Sequence, residues 1–259
     1  MPSSLKKLVV VTGASRGIGR AVSEILVAHG VTVIGVARSA DALLELSQKL
    51  SPSFIACAAD ITTPCGMDQV LATVSNQGDS ELAALVNNAG VLEPIAKLAT
   101  VDLSLLRTHL ETNVVSVVAL TQKLLPLLRA SHGRVINVSS GAATGAYQGW
   151  GAYCMGKAAL NMLTQVLACE EEEVVSVALR PGVVATDMQA LIRDAGKEAM
   201  KPEQHGKFTK MHEQGALLPP ERPALSIACL ALCAAKEHSG SFYSWDSPEV
   251  SALIDTWNQ

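Results

Sequence analysis

The feature that most constrains this chain is a β-branched run, Leu8–Thr12, that passes directly into Thr12-Gly13-Ala14-Ser15-Arg16-Gly17-Ile18-Gly19. A helical pattern follows at once, with Ile18, Val22, Ile25, Leu26 and His29 recurring on one face. In such a strand–loop–helix unit, Gly13 permits the tight turn and Gly17 lets a diphosphate approach the backbone. Gly19 lets the helix pack close to the sheet. Free N–H groups at the helix start, with the helix dipole behind them, attract an anion. A Walker loop would need Gly-Lys-Ser/Thr, which is missing. The spacing, G-x-x-x-G-x-G, also differs from the commoner G-x-G-x-x-G.

The rest of the chain repeats this alternation. Short β-branched runs at Thr32–Val36, Phe54–Ala58, Ala84–Asn87, Arg134–Ser139 and Val174–Leu179 are separated by helical patterns, and a last short strand is expected near Ser241–Ser244. Alternation of this kind implies right-handed crossovers and a parallel sheet. The residues are 49% apolar, with only three each of Phe, Trp and Tyr. The core is therefore Val, Leu, Ile and Ala, as suits a sheet covered on both faces. No linker or repeat divides residues 1–259, so one α/β domain is expected. One segment breaks the rhythm: Val184–Pro220 is rich in Gly and Pro and reads as two short helices in a long connection, a substrate lid.

Several partner classes fall away. Net charge is −4 without a basic run, which argues against nucleic acid. The acidic run Glu170–Glu173 reads as a solvated patch. Ala224–Ala235 is too short an apolar stretch to span a bilayer. The six Cys form no C-x-x-C pair and, with His, no zinc spacing, so reduced thiols in a cytoplasmic protein without a metal are expected.

The second strand bears on the choice of dinucleotide. NAD-binding proteins place an acid about twenty residues past the loop to grip a ribose hydroxyl. Here Val36-Ala37-Arg38-Ser39 stands there instead. Arg38 suits a 2′-phosphate, with Arg16 as a second cation, so NADP(H) is expected.

Tyr153 and Lys157 are four apart at the start of a helix and share a face. A phenol has a pKa near ~10, and a neighbouring ammonium stabilises the phenolate. An apolar stripe of Met155, Ala159, Met162, Leu163, Val166 and Leu167 reads as that helix's core face, with Tyr153 and Lys157 pointing away from it. Ser139 and Ser140 follow a strand and lie at the sheet edge where ligands bind. Asn87-Asn88-Ala89-Gly90 ends the preceding strand. Asn113 sits in an apolar helix and needs a partner, structural or catalytic.

Taken in order, these motifs, with Asp60-Ile61 and Pro181-Gly182 followed by Thr186, resemble the short-chain dehydrogenase/reductase family. Val91-Leu92-Glu93-Pro94 and Gly149-Trp150-Gly151-Ala152-Tyr153 resemble its fungal benzil-reductase and sepiapterin-reductase-like branch. The resemblance implies a doubly wound (Rossmann) seven-stranded parallel sheet with helices on both faces. The family's spacing from Tyr153 selects Ser140 over Ser139. It implies that Tyr153 moves the proton, Lys157 lowers the Tyr pKa and binds the nicotinamide ribose, Ser140 orients a carbonyl, and Asn113 holds a water. The loop from Gly13 through Ser15, Arg16, Gly17 and Ile18 to Gly19 would hold the diphosphate, and Arg38 and Ser39 the 2′-phosphate. Asp60 and Ile61 would border the adenine. Asn87, Ala89 and Gly90 would form the cofactor floor, with Pro181, Gly182, Val184, Thr186 and Met188 beside the nicotinamide. Gly156 departs from the family, which usually has Ser there.

The implied activity is reduction of a ketone or vicinal diketone, with oxidation of a secondary alcohol and a non-catalytic NADP(H) sensor as alternatives. Tyr147 and Trp150 could stack on an aryl substrate or pack at a subunit contact. Val183 and Leu191 could form an apolar lid wall. A homodimer or homotetramer is implied, through the helices near Asn113 and Tyr153.

Overall fold

The computed structural model describes residues 5–257; residues 1–4 and 258–259 of the expected domain lie outside them. The strands are β1 (Lys6–Thr12), β2 (Thr32–Ala37), β3 (Phe54–Ala58), β4 (Ser80–Asn87), β5 (Arg134–Val138), β6 (Val175–Arg180) and β7 (Phe242–Ser244). They form one sheet in the order β3-β2-β1-β4-β5-β6-β7, with every pairing parallel. β4 begins earlier than its β-branched run, because Ser80 and Glu81 pair with Lys6 and Lys7. Those polar ends of two neighbouring strands carry no apolar signal.

The helices are α1 (Gly17–Ala28), α2 (Ala40–Leu50), α3 (Pro64–Ser75), α4 (Leu103–Leu110), α5 (Ser116–Ala130), α6 (Gly151–Glu170), α7 (Asp187–Ala195), α8 (Pro202–Glu213), α9 (Glu221–Cys233) and α10 (Pro248–Trp257). A wide helical turn, Glu111–Val115, joins α4 to α5. Side chains alternate along β1. Val9 and Val11 pack with α1, α2, α9 and α10, while Leu8 and Val10 pack with α3, α5 and α6. Both faces are thus dry, as the β-branched runs require. Each fully buried Leu, such as Leu120 and Leu124 of α5, contributes about 1.5–3 kcal/mol.

The strand order reverses beside β1: the chain builds outward to β3, then returns to lay β4 on the other side. Ligands bind at such a point, in the crevice beyond the strands' carboxyl ends. A polar ladder fixes β4 and β5 beneath it. Asn87 Nδ2 donates to Thr121 Oγ1 and to Asn137 Oδ1, and Asn137 Nδ2 donates to Thr164 Oγ1. All four residues are buried, and a buried polar group without partners would be costly.

Two sequence expectations need correction. The Met155–Leu167 stripe is not the core face of α6: Met155, Met162 and Val166 are exposed, Met162 to 57%. The buried face runs through Tyr153, Gly156, Lys157, Leu160, Thr164 and Leu167. Both stripes have helical period, and period does not say which one meets the sheet. Nor is the acidic run simply solvated. Glu171 is buried and takes a bidentate pair from Arg129, Nε and Nη2 each donating at 2.7 Å. Lys236 Nζ donates to the Glu171 and Glu172 carbonyls. These two cations offset acidic charge at a helix C-terminus, where it opposes the dipole.

The Arg129 pair holds the Glu171 carboxyl below its ordinary value. Its stabilising effect is therefore present at neutral pH and lost as pH falls through the carboxylate range. Arg129→Ala should lower the melting temperature at pH 7, with the deficit closing below about pH 4, near the free glutamate value. A deficit unchanged down to pH 3 would contradict the pairing.

Candidate active site

Thr12 ends β1, and its buried hydroxyl accepts from the N–H groups of Asn88 and Ala89, both at 3.0 Å. Asn88 Nδ2 donates to the carbonyls of Thr12 at 2.9 Å and Gly13 at 3.3 Å. The carboxyl ends of β1 and β4 are thereby tied together. Neither residue was assigned a role from sequence, where each is one letter in a motif.

The glycine loop lies over this tie. Gly13 and Gly17 have φ of +67° and +54°, a region that disfavours other residues. A Cβ at Gly19 would lie 2.3 Å from the Gly13 carbonyl oxygen, so only glycine lets α1 pack here. The N-cap of α1, Arg16, makes no side-chain cap, and the first turn has no acid. Its N–H groups are available to an anion. A Cβ at Gly17 would meet only Thr186 of the lid, at 3.2 Å for the nearest atom. Loop, helix start and Thr186 thus outline a cradle that fits a dinucleotide diphosphate.

Arg38 and Ser39 are exposed just beyond β2. The acid at the end of the next strand, Asp60, is already engaged by the Thr62 N–H at 2.9 Å and hydroxyl at 2.7 Å. Those bonds, aided by the charge of Arg38, hold its carboxyl below the usual range. Ile61 is buried beside it. Arg16 pairs at 2.7 Å with Asp187, the first residue of α7. Asn87 ends β4 with its Nδ2 used in the ladder beneath, and Ala89 and Gly90 follow just beyond the strand.

Tyr153 and Lys157 lie on the buried face of α6, under the ends of β4 and β5. Lys157 is 5% exposed, and Nζ donates to the Val138 carbonyl at 2.7 Å. It stands 5.6 Å from the Tyr153 ring centroid. Burial dominates both groups. It pushes the Tyr153 phenol up to about 12, against a hydrogen bond from Ser140 that works the other way. It pulls the Lys157 ammonium down to about 8. Burial therefore holds Tyr153 as a neutral phenol. Ser139 points inward to Asn161 Oδ1 at 2.6 Å. Ser140 caps a short turn through its Oγ and stays partly exposed, so it is the serine that faces Tyr153.

Asn113 is buried in the wide turn. Its Oδ1 accepts from the Val91 N–H at 2.8 Å, and its Nδ2 donates to the Val91 carbonyl at 2.7 Å and to His109 Nε2 at 2.9 Å. Both Nδ2 hydrogens are thereby used by protein, and Oδ1 keeps one lone pair beyond its bond to Val91. His109 was also missed: a lone His in an otherwise exposed helix gives no pattern.

The segment read as a lid from its Gly and Pro content folds as two helices, α7 and α8. Its ends are clipped together, Leu218 N–H donating to Val183 O at 2.9 Å and Ala185 N–H to Leu218 O at 2.8 Å. Gly182 and Pro181 precede the clip, and Val184 is buried within it. Tyr147 and Trp150 belong to an aromatic cluster with Phe208 of α8. Trp150 stacks on Tyr147 at 4.7 Å and on Phe208 at 5.4 Å, and meets Tyr153 edge-on at 5.8 Å. Val183, Met188 and Leu191 pack around them. Gln204 of α8 adds two bonds to the same loop, accepting from the Gln148 N–H and donating to the Ala146 carbonyl. Phe208 and Gln204 are lid residues that the sequence did not single out.

Residues 7–197 match a family model described as short chain dehydrogenase. The chain is 39% identical over 249 residues to an uncharacterized oxidoreductase of Schizosaccharomyces pombe, covering 95% of this chain and 99% of that one. It is 35% identical over 238 residues to a Saccharomyces cerevisiae protein named benzil reductase ((S)-benzoin forming), covering 87% and 90%. A crystal structure of a Saccharomyces cerevisiae short chain dehydrogenase/reductase superposes with a TM-score of 0.92 at 35% identity, covering 96% and 99%.

The buried ammonium has a consequence for stability. The folded value of Lys157 lies below the ordinary 10.5, so the unfolded chain holds more protons between about 8 and 10.5. The burden that Lys157 places on the fold is therefore full below pH 8 and eases as pH rises through that window. The melting-temperature difference between Lys157→Met and wild type should shift in favour of wild type from pH 8 to 10.5. A pH-independent difference would contradict the burial of a charged Lys157.

Proposed function

The chain belongs to the short-chain dehydrogenase/reductase family, and we propose that it is an NADPH-dependent carbonyl reductase acting on ketones or vicinal diketones such as benzil. The observation that carries this reading is the placing of Tyr153: a buried phenol with Lys157 on the same helix face and the partly exposed Ser140 beside it, at the carboxyl edge of the sheet. A protonated phenol is the form that reduction needs.

When bound, NADPH supplies the hydride. The loop residues Gly13, Ser15, Arg16, Gly17, Ile18 and Gly19 hold its diphosphate, and Arg38 with Ser39 takes the 2′-phosphate. Asp60, Ile61, Ala89 and Gly90 line the adenosine side, with Pro181, Gly182, Val184, Thr186 and Met188 beside the nicotinamide. Ser140 holds the substrate carbonyl oxygen by a hydrogen bond. Tyr153 donates its proton to that oxygen as negative charge develops there. The Lys157 ammonium stabilises the phenolate left behind. Water is kept out by α7 and α8.

Two features favour an aryl or diketone substrate. The half-buried Tyr147 offers a flat ring in the cluster around Tyr153, the buried Trp150 backs it, and Val183 and Leu191 close the wall. The relative named benzil reductase points the same way. The exposed apolar side chains of the outer helices, Leu103 and Leu105 of α4, Val118 of α5, and Met155, Met162 and Val166 of α6, form the contact through which copies assemble as a dimer or tetramer.

The test is NADPH oxidation across a panel of ketones and 1,2-dicarbonyls, run with wild type and Arg38→Asp. Wild type should turn over benzil-like diketones and prefer NADPH to NADH. Arg38→Asp should weaken NADPH binding by roughly tenfold or more, the worth of a charge-assisted contact. No turnover across the panel would refute the activity, and an unchanged NADPH preference would refute the role of Arg38.

A further inference from the structure

We propose that His109 is a positioning residue of the proton-transfer site, fixing Asn113 beside Lys157, and that residue 156 is glycine so that its imidazole fits. The proposal rests on the reading of Tyr153 and Lys157 as the proton-moving pair.

His109 is the one buried side chain of α4, at 1% exposure. A helix anchored for apolar reasons alone would use Leu. Here both ring nitrogens have partners. Nδ1 lies 2.6 Å from the Glu93 carbonyl oxygen, which can only accept, so Nδ1 carries the proton. Nε2 then presents a lone pair, and Asn113 Nδ2 donates to it. The orientation of Asn113 is equally forced, because its Oδ1 must accept the Val91 N–H. Neither side chain can flip without breaking a buried bond.

This pair reaches the reacting groups. A Cβ at Gly90 would lie 3.1 Å from Asn113 Oδ1 and 3.7 Å from Lys157 Nζ, so the amide and the ammonium both border the space that a side chain at Gly90 would fill. The imidazole also meets the Tyr153 ring edge-on, with centroids 6.2 Å apart. Loss of His109 would remove one of the three bonds that orient Asn113, the Glu93 carbonyl's partner and the edge against the Tyr153 ring together.

Gly156 completes the argument. A glycine inside a helix costs about 1 kcal/mol relative to alanine. It stands one residue before Lys157, where the family usually has Ser. A Cβ there would come within 3.2 Å of His109 Nε2 and 3.5 Å of Asn113 Cβ. Any side chain at 156 would push on the bond between them. Burial and the Lys157 charge also favour the neutral ring, the form that can accept from Asn113.

The test measures kcat, KM for a diketone, and NADPH affinity in His109→Leu, His109→Gln, Gly156→Ala, His109→Ala and the double variant of Gly156→Ala with His109→Ala. His109→Leu should lower kcat by roughly tenfold to a hundredfold, as misplacement of a catalytic group does, with NADPH affinity within about twofold of wild type. His109→Gln, whose Oε1 restores an acceptor for Asn113, should recover kcat to within about threefold of wild type. Gly156→Ala should slow the enzyme when His109 is present and have no further effect on the His109→Ala background, a non-additive pair. Wild-type kcat in His109→Leu, or additive effects at 109 and 156, would overturn the proposal. If His109→Leu does not fold, His109→Gln and the 109/156 cycle decide. An inactive wild type would refute the carbonyl-reductase reading instead. The nitrogen-15 NMR spectrum of His109 then decides this proposal: a protonated Nδ1 and bare Nε2 support it, and a proton on Nε2 overturns it.

Discussion

The buried ammonium of Lys157 is the constraint on which the site depends. A charge taken from water is costly unless fixed partners replace the solvent. The Val138 carbonyl supplies one partner, and glycines at 90 and 156 keep side chains from crowding the groups around it. Burial shifts Lys157 and Tyr153 toward their neutral forms, the ammonium downward and the phenol upward. Each is poorly matched to its surroundings when charged alone. When a proton leaves Tyr153, a phenolate and an ammonium face one another in a dry setting, where their attraction is strong. In the proposed reduction that attraction offsets part of the cost of a buried phenolate, and it arises only once the proton has moved.

The proposed lid, α7 and α8, is joined to both halves of the candidate site. Its first residues meet the glycine loop, through Thr186 over Gly17 and Asp187 on Arg16. Its second helix grips the loop between Ser140 and Tyr153, through Gln204 and the stack of Phe208 on Trp150. A lid so attached couples cofactor loop and aromatic wall. The Arg16–Asp187 pair is exposed, so it contributes little energy, and the aromatic stack contributes more.

Much of this was legible in the sequence, and the failures have physical causes. The sheet was readable because strands buried on both faces show as uninterrupted β-branched runs. Tyr153 and Lys157 were readable as neighbours because four residues span about one helical turn. Their direction was not: α6 carries two apolar stripes, and only packing reveals that the Met162 stripe faces out while the Lys157 face lies against the sheet. Glu171 looked solvated because acidic runs usually are; its partner Arg129 is 42 positions away. His109, Gln204 and Asn88 act through bonds to distant backbone atoms, and local sequence holds no sign of such bonds. Gly156 was visible as a departure, but its reason lies in α4.

The role of Tyr153 can be measured directly by single-turnover reduction of benzil with wild type and Tyr153→Phe, each saturated with NADPH. The variant should bind NADPH with nearly unchanged affinity, since only a hydroxyl is lost, and reduce the ketone at least roughly a hundredfold more slowly, the usual worth of a general acid. Comparable single-turnover rates in the two proteins would mean that the proton comes from another group.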